Sequence, residues 1–170
     1  MYLLDTINFD DGDIVIDCGA NSGLYTNFIR SIVGKSGFVH AFEPIPSTFK
    51  NLQTNAKEYA SLNNYILNNL GLYKKINSLT AYIPDSIDGH ASINNHISEW
   101  KADSIEEVSI ELTTLDSYFS EKKLKKIDLP EAQVQNFGTS SDVLIRLPVV
   151  ENLSLADLSE KIALTLKESD

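Results

Sequence analysis

Two carboxylates and two glycines, set at particular distances, are the residues of this chain whose types and order can do chemistry. Asp17, Gly19 and Gly23 stand in the run D-I-V-I-D-C-G-A-N-S-G from Asp13 to Gly23, and Glu43 closes the run F-V-H-A-F-E from Phe38. Glycine lets the backbone turn tightly and lets a ligand approach it closely, while the amides opening a following helix point at whatever lies above the turn. An acid roughly 20 residues beyond such a turn, at the tip of a second strand, can accept hydrogen bonds from both hydroxyls of a nucleoside sugar. Gly19 and Gly23 are separated by Ala20, Asn21 and Ser22, so this is not the G-x-G-x-x-G turn that packs against a pyrophosphate. A nucleoside without phosphates fits better.

Strand ends have to position those residues. Ile14, Val15 and Ile16 read as a short buried strand, and Phe38 to Phe42 as a second. Between them a helix begins near Ser22; Leu24, Phe28, Ile29 and Ile32 recur at helical spacing and are predicted to cover the sheet, with Asn27 and Arg30 outward. Pro46 suits an early helical position and opens a second helix through Phe49, Leu52, Ala56 and Tyr59. A turn at Asn63 and Asn64 leads into a third strand from Tyr65 to Leu70, completing a β-α-β-α-β half of a doubly wound sheet. In such a sheet ligands sit in the crevice beyond the carboxyl ends of the strands. Leu79 to Ile83 and Val108 to Leu112 are strand-like pieces around a polar loop, predicted to form an antiparallel insertion. A helix from Asp116 to Lys126 follows, with Tyr118, Phe119 and Leu124 available to pack.

Composition bounds the possibilities. The 170 residues are 42% hydrophobic, enough for one ordinary domain with a sizeable core. Lys and Arg total 14 against 24 Asp and Glu, and the net charge of -10 argues against nucleic acid and against an anionic membrane surface. The one cysteine, Cys18, permits neither an internal disulfide nor a cysteine-based metal site, which fits a reducing cytoplasm. The N-terminus has no basic residue ahead of its apolar ones and nowhere do eighteen apolar residues run together, so a soluble, cytoplasmic chain is expected.

The runs D-C-G-A-N-S-G-L-Y and F-V-H-A-F-E-P resemble the FkbM family of S-adenosylmethionine-dependent methyltransferases. The resemblance continues through N-N-L-G-L-Y, Asn68 to Tyr73, and V-S-I-E-L-T-T-L-D-S-Y-F, Val108 to Phe119, and covers about the first three-quarters of the chain. It implies a Rossmann-like class I methyltransferase sheet, S-adenosylmethionine as cofactor, and a sugar or other secondary-metabolite hydroxyl, on a small molecule or glycan, as methyl acceptor. It also implies that Asp17, Gly19, Ala20, Asn21 and Gly23 line the methionine side, that Glu43 holds the ribose and that Asn69 lies near the adenine. No metal is expected to take part.

The family pattern reaches Ile127, Asp128 and Leu129 and then meets Pro130, which donates no ladder hydrogen bond and is disfavoured inside a central strand. The core sheet is therefore expected to stop after its third strand, leaving the first strand with an open edge, weak cofactor binding and no turnover. The stretch from Leu129 to Pro148 resembles instead an extracytoplasmic domain of the SecD/SecF protein-export family. From the residues alone it is two strands, Ala132 to Phe137 and Asp142 to Leu147, followed by an amphipathic helix from Ser154 to Lys167. The expected organisation is thus a methyltransferase-like unit over 1–128 and a β-β-α tail over 129–170. A surrogate pairing of Ala132 to Phe137 with the first strand is the rival to the open edge, and a non-enzymatic cofactor-binding remnant or export-related interaction fragment is the rival to an enzyme.

Several reactive residue types have plainer readings. His40 lies within a strand and is expected to be packed or hydrogen-bonded; His90 and His96, in a polar loop, are candidate bases for an acceptor hydroxyl, though loop histidines are usually only solvated. Cys18 is expected to pack as a small apolar group, and Trp100 to pack the insertion. Lys122 to Lys126 reads as a solvated helix end.

Overall fold

The strands that carry the glycine turn and the acid end at one level. β1 (Ile14–Cys18), β2 (Phe38–Phe42) and β3 (Tyr65–Asn68) pair in parallel, with Asp17 opposite Ala41, Cys18 opposite Phe42, and Phe42 opposite Asn68. The computed structural model describes residues 9–58, 63–85, 91–93 and 104–122, together with the backbone of 133–136 and 143–147. Helices α1 (Leu24–Ile32) and α2 (Pro46–Glu58) are the crossovers, giving the predicted half of a doubly wound sheet with Pro46 as the first residue of its helix. Val15 and Val39 pack against Ile29 and Val33 from α1, and Ala20 and Ala41 pack against Leu52 from α2. The alternate residues His40 and Phe42 meet Tyr118 of α3 (Leu115–Lys122) on the opposite face. None of the described helices is long and apolar enough to cross a membrane.

α1 is rotated from its predicted orientation. Arg30, expected outward, is 1% exposed, whereas Leu24, Phe28 and Ile32, expected to cover the sheet, are 69%, 44% and 37% exposed. The guanidinium of Arg30 lies 3.8 Å from the centre of the Tyr65 ring and donates to Asn64 Oδ1 and to the Ala56 carbonyl, both at 3.3 Å. A flat, weakly hydrated cation with an aromatic face and acceptors around it can be buried, and its bonds turn the apolar i, i+4, i+8 stripe outward. Asn64 completes the joint, its amide donating to the Arg30 and Gly34 carbonyls at 2.9 and 2.7 Å.

The insertion forms as expected. β5 (Asn77–Pro84) pairs antiparallel along its whole length with β6 (Ile105–Thr113), from Asn77 opposite Leu112 to Pro84 opposite Ile105, and β4 (Gly71–Leu72) joins β6 in parallel. The predicted third strand is split: β3 ends at Asn68, and Asn69 leaves the ladder to bond the exit of β2. Ile45, just past Glu43, packs with Ala81, Ile110 and Leu112, so the insertion is seated on the loop that carries the acid.

The edge of β1 is not open. β7 (Gln133–Asn136) and β8 (Val143–Leu147) form the predicted pair of strands, and β8 runs antiparallel along all of β1, from Ile14 opposite Leu147 to Cys18 opposite Val143. The parallel core stops after its third strand, as expected, but the sheet order is β3-β2-β1-β8-β7, so the expected open edge of β1 does not hold, nor does the rival in which Ala132 to Phe137 pairs with β1. Five unpaired residues of a parallel strand are a template that an antiparallel hairpin can occupy without a crossover helix. The more apolar, β-branched run V-L-I-R-L takes the central place, and Q-V-Q-N takes the edge. The sheet thus spans both sides of residue 129. The predicted helix at Ser154 to Lys167, together with Tyr59, His90, His96, Trp100, Leu124 and Pro130, lies outside the described residues.

Candidate functional site

The chain leaves β1 through a turn in which three of five residues are left-handed: Gly19 at φ 77°, Asn21 at φ 49° and Gly23 at φ 91°. Asparagine tolerates that region better than most side chains, which leaves the outer two positions to glycine. The amides of Gly19 and Ala20 both donate to the Phe42 carbonyl at 2.9 Å, fastening the turn to the end of β2. Gly23 is the N-cap of α1, and a Cβ there would lie 2.6 Å from Leu52 Cδ1, so helix and turn are pressed against α2. Below the turn, Asp17 is buried and its Oδ2 accepts from Thr26 Oγ1 at 2.5 Å.

Glu43 stands across from the turn with 5% of its surface exposed. Its Oε2 accepts from the Asn21 amide at 3.0 Å and its Oε1 from the Ile45 amide at 2.8 Å. The main chain of Glu43 is held as well: its N–H donates to the Asn68 carbonyl at 3.0 Å, and its carbonyl accepts from Asn69 Nδ2 at 2.8 Å. Asn69 Nδ2 also reaches the Pro44 carbonyl at 3.1 Å, and Asn68 Nδ2 the Ala41 carbonyl at 3.0 Å.

Asp17, Gly19, Ala20, Asn21, Gly23, Glu43 and Asn69 therefore come together around the ends of three adjacent strands. Beside the turn opens a pocket of about 170 Å³ lined by Gly19, Ala20, Asn21, Ser22, Leu24 and Tyr25. Ligand sites commonly enclose about 300–1,000 Å³, so this pocket has room for only part of a molecule of nucleoside size. Thr26 and Asn68 belong to the same framework and escape a reading of the sequence. The signal for Thr26 is its place one helical turn before Ile29 and Arg30, on what proves to be the buried side of α1; for Asn68 it is the doubled asparagine at a strand end.

His40 and Cys18 match their plain readings. His40 is buried below the crevice with Nδ1 2.9 Å from the Tyr118 hydroxyl; burial, aided by the charge of Lys122, lowers its pKa to about 4, so the ring is neutral. Burial also pushes the Tyr118 hydroxyl up, against the opposing effect of its bond with Asn68. The Cys18 thiol is pushed far up by burial and by the neighbouring Asp17 charge, which keeps it protonated and unreactive.

Residues 17–129 match the family model described as the methyltransferase FkbM domain. Methyltransferase 1 of Beauveria bassiana (strain ARSEF 2860) is 27% identical over 154 residues, covering 82% of this chain and 60% of its own length. The chain thus spans about 60% of that curated relative. Among solved structures, FkbM methyltransferase from Methylobacillus flagellatus KT aligns over 84% of this chain and 45% of its own, at 12% identity and a TM-score of 0.44. A Clostridium thermocellum protein provisionally named an rRNA methylase aligns over 81% and 89%, at 19% identity and a TM-score of 0.40. The export-family resemblance of residues 129–170 finds no support in these comparisons. The family match begins at Asp17 and takes in the glycine turn, Glu43, the asparagine pair and the insertion: more than half of the chain, which belongs to the FkbM methyltransferase family.

Proposed function

We propose that this chain binds S-adenosylmethionine in the crevice above β1, β2 and β3 and transfers its methyl group to a hydroxyl oxygen of a small-molecule or glycan acceptor in the cytoplasm. The observation that carries the reading is the bond from the Asn21 amide to Glu43 Oε2, which joins the glycine turn and the sugar-binding acid into one rim. The residues fit the cofactor's chemistry. Its ribose diol calls for a carboxylate, met by Glu43; its methionine part calls for open backbone, met by Gly19, Ala20, Asn21 and Gly23; its cationic centre is favoured by the two buried acids, Asp17 and Glu43. Nothing in the turn is built for a phosphate.

When bound, S-adenosylmethionine supplies an electrophilic methyl group on a sulfonium centre. The chain's own residues contribute position: Thr26 holds Asp17 under the turn, and Asn21 and Ile45 hold Glu43 at the rim. A transfer of this kind gains most from alignment of acceptor and donor in a site from which water is kept. β8 pairs along β1, which supports this reading because the expectation of no turnover rested on an open β1 edge.

A second reading, nucleoside binding without turnover, is favoured by the pocket of about 170 Å³, which is small for donor and acceptor together. Calorimetry with S-adenosylmethionine, followed by transfer of a labelled methyl group to hydroxyl acceptors, separates the two. Binding with transfer that is lost in Asp17→Ala supports the enzyme; binding alone supports the second reading; absence of both overturns each.

A further inference from the structure

We infer that Asn69 is a positioning residue for the sugar-binding acid, acting on a bound nucleoside only through Glu43. The inference rests on the nucleoside-binding reading above and specifies how that site is held. Asn69 Nδ2 donates to two successive carbonyls, of Glu43 at 2.8 Å and of Pro44 at 3.1 Å. Peptide units are planar, so a bond to the Pro44 carbonyl orients the Pro44–Ile45 unit as a whole, including the Ile45 N–H. That N–H donates to Glu43 Oε1 at 2.8 Å. The bond to the Glu43 carbonyl orients the preceding peptide unit in the same way, while the Glu43 N–H is tied to the Asn68 carbonyl at 3.0 Å. One carboxamide thus aims the amide that aims the carboxylate. Aspartate has the same size but no N–H₂, and would set an anionic oxygen against two carbonyl oxygens. A nitrogen already bonded to two main-chain oxygens is built into the protein framework, as a positioning role requires.

The test compares S-adenosylhomocysteine with its 2′,3′-dideoxy analogue by calorimetry on the wild type and on Asn69→Ala, Asn69→Asp and Glu43→Gln. The wild type should prefer the diol-bearing ligand, and Glu43→Gln should lose that preference. Both Asn69 variants should reduce it by about three- to tenfold, the cost of a lost hydrogen bond. Direct contact of Asn69 with the adenine predicts equal weakening of both ligands and an unchanged preference, which would overturn the inference; so would affinities equal to wild type. If Asn69→Ala does not fold, the isosteric Asn69→Asp carries the comparison. A wild type that binds neither ligand overturns the nucleoside-binding reading itself, a different failure from an unchanged preference.

Discussion

The main-chain amide of Asn21 donates to Glu43 Oε2 at 3.0 Å, across 22 residues of sequence. It joins the turn after β1 to the acid after β2 without any side chain from the turn, so the geometry depends on the left-handed backbone at Asn21. The acid therefore braces the turn, and in the proposed function it also holds the ribose.

Replacing that acid tests both. Glu43→Ala should weaken S-adenosylmethionine binding by on the order of 1.5–3 kcal/mol, the range for a hydrogen bond to a charged group. Calorimetry checks this, and an unchanged affinity would show that the ribose is held elsewhere.

Gly23→Ala should destabilise the fold by about 1–3 kcal/mol, because a non-glycine residue held in the left-handed region is strained. Its φ is 91° and the added Cβ would meet Leu52 Cδ1 at 2.6 Å. Denaturant titration measures the loss; full wild-type stability would mean that the turn relaxes at no cost.

His40 makes stability depend on pH. Its pKa is lowered to about 4 by burial and then by Lys122, against 6.5 for an unperturbed histidine. Between those values the unfolded chain binds the proton and the folded chain does not, so this contribution is present above pH 6.5 and is lost as pH falls toward 4. The expected loss from pH 7 to pH 5 is about 2 kcal/mol. In His40→Gln this part of the dependence should vanish; urea titrations of both proteins at the two pH values decide the matter, and parallel losses would assign the effect to other groups.

β8 lies between β1 and β7 and is bonded on both sides. Ile145→Pro, opposite Ile16, removes a main-chain donor from the middle of that ladder and should cost about 1–3 kcal/mol, the range for a buried partner left unpaired. It should also uncover the β1 edge and promote aggregation. Thermal melting and light scattering provide the check, and a variant as stable and monodisperse as wild type would show that the sheet does not need β8.

Much of this was legible in the residues themselves. The strand runs, the acid and glycines at their ends, Pro46 at the start of α2 and the antiparallel pair in the insertion are local patterns, and each formed where periodicity and turn chemistry indicated. Grouping the glycine turn with Glu43 needed only the rule that parallel strands joined by right-handed crossovers end on the same side. The tertiary structure decided what competes at a distance. The apolar stripe Leu24–Phe28–Ile32 lost the sheet-facing position because Arg30 found Tyr65, Asn64 and the Ala56 carbonyl, partners 26 to 35 residues away that no helical periodicity can register. The partner of β1 came from residues 143–147, because an unpaired edge accepts whichever strand reaches it, and reach is set by how the whole chain closes.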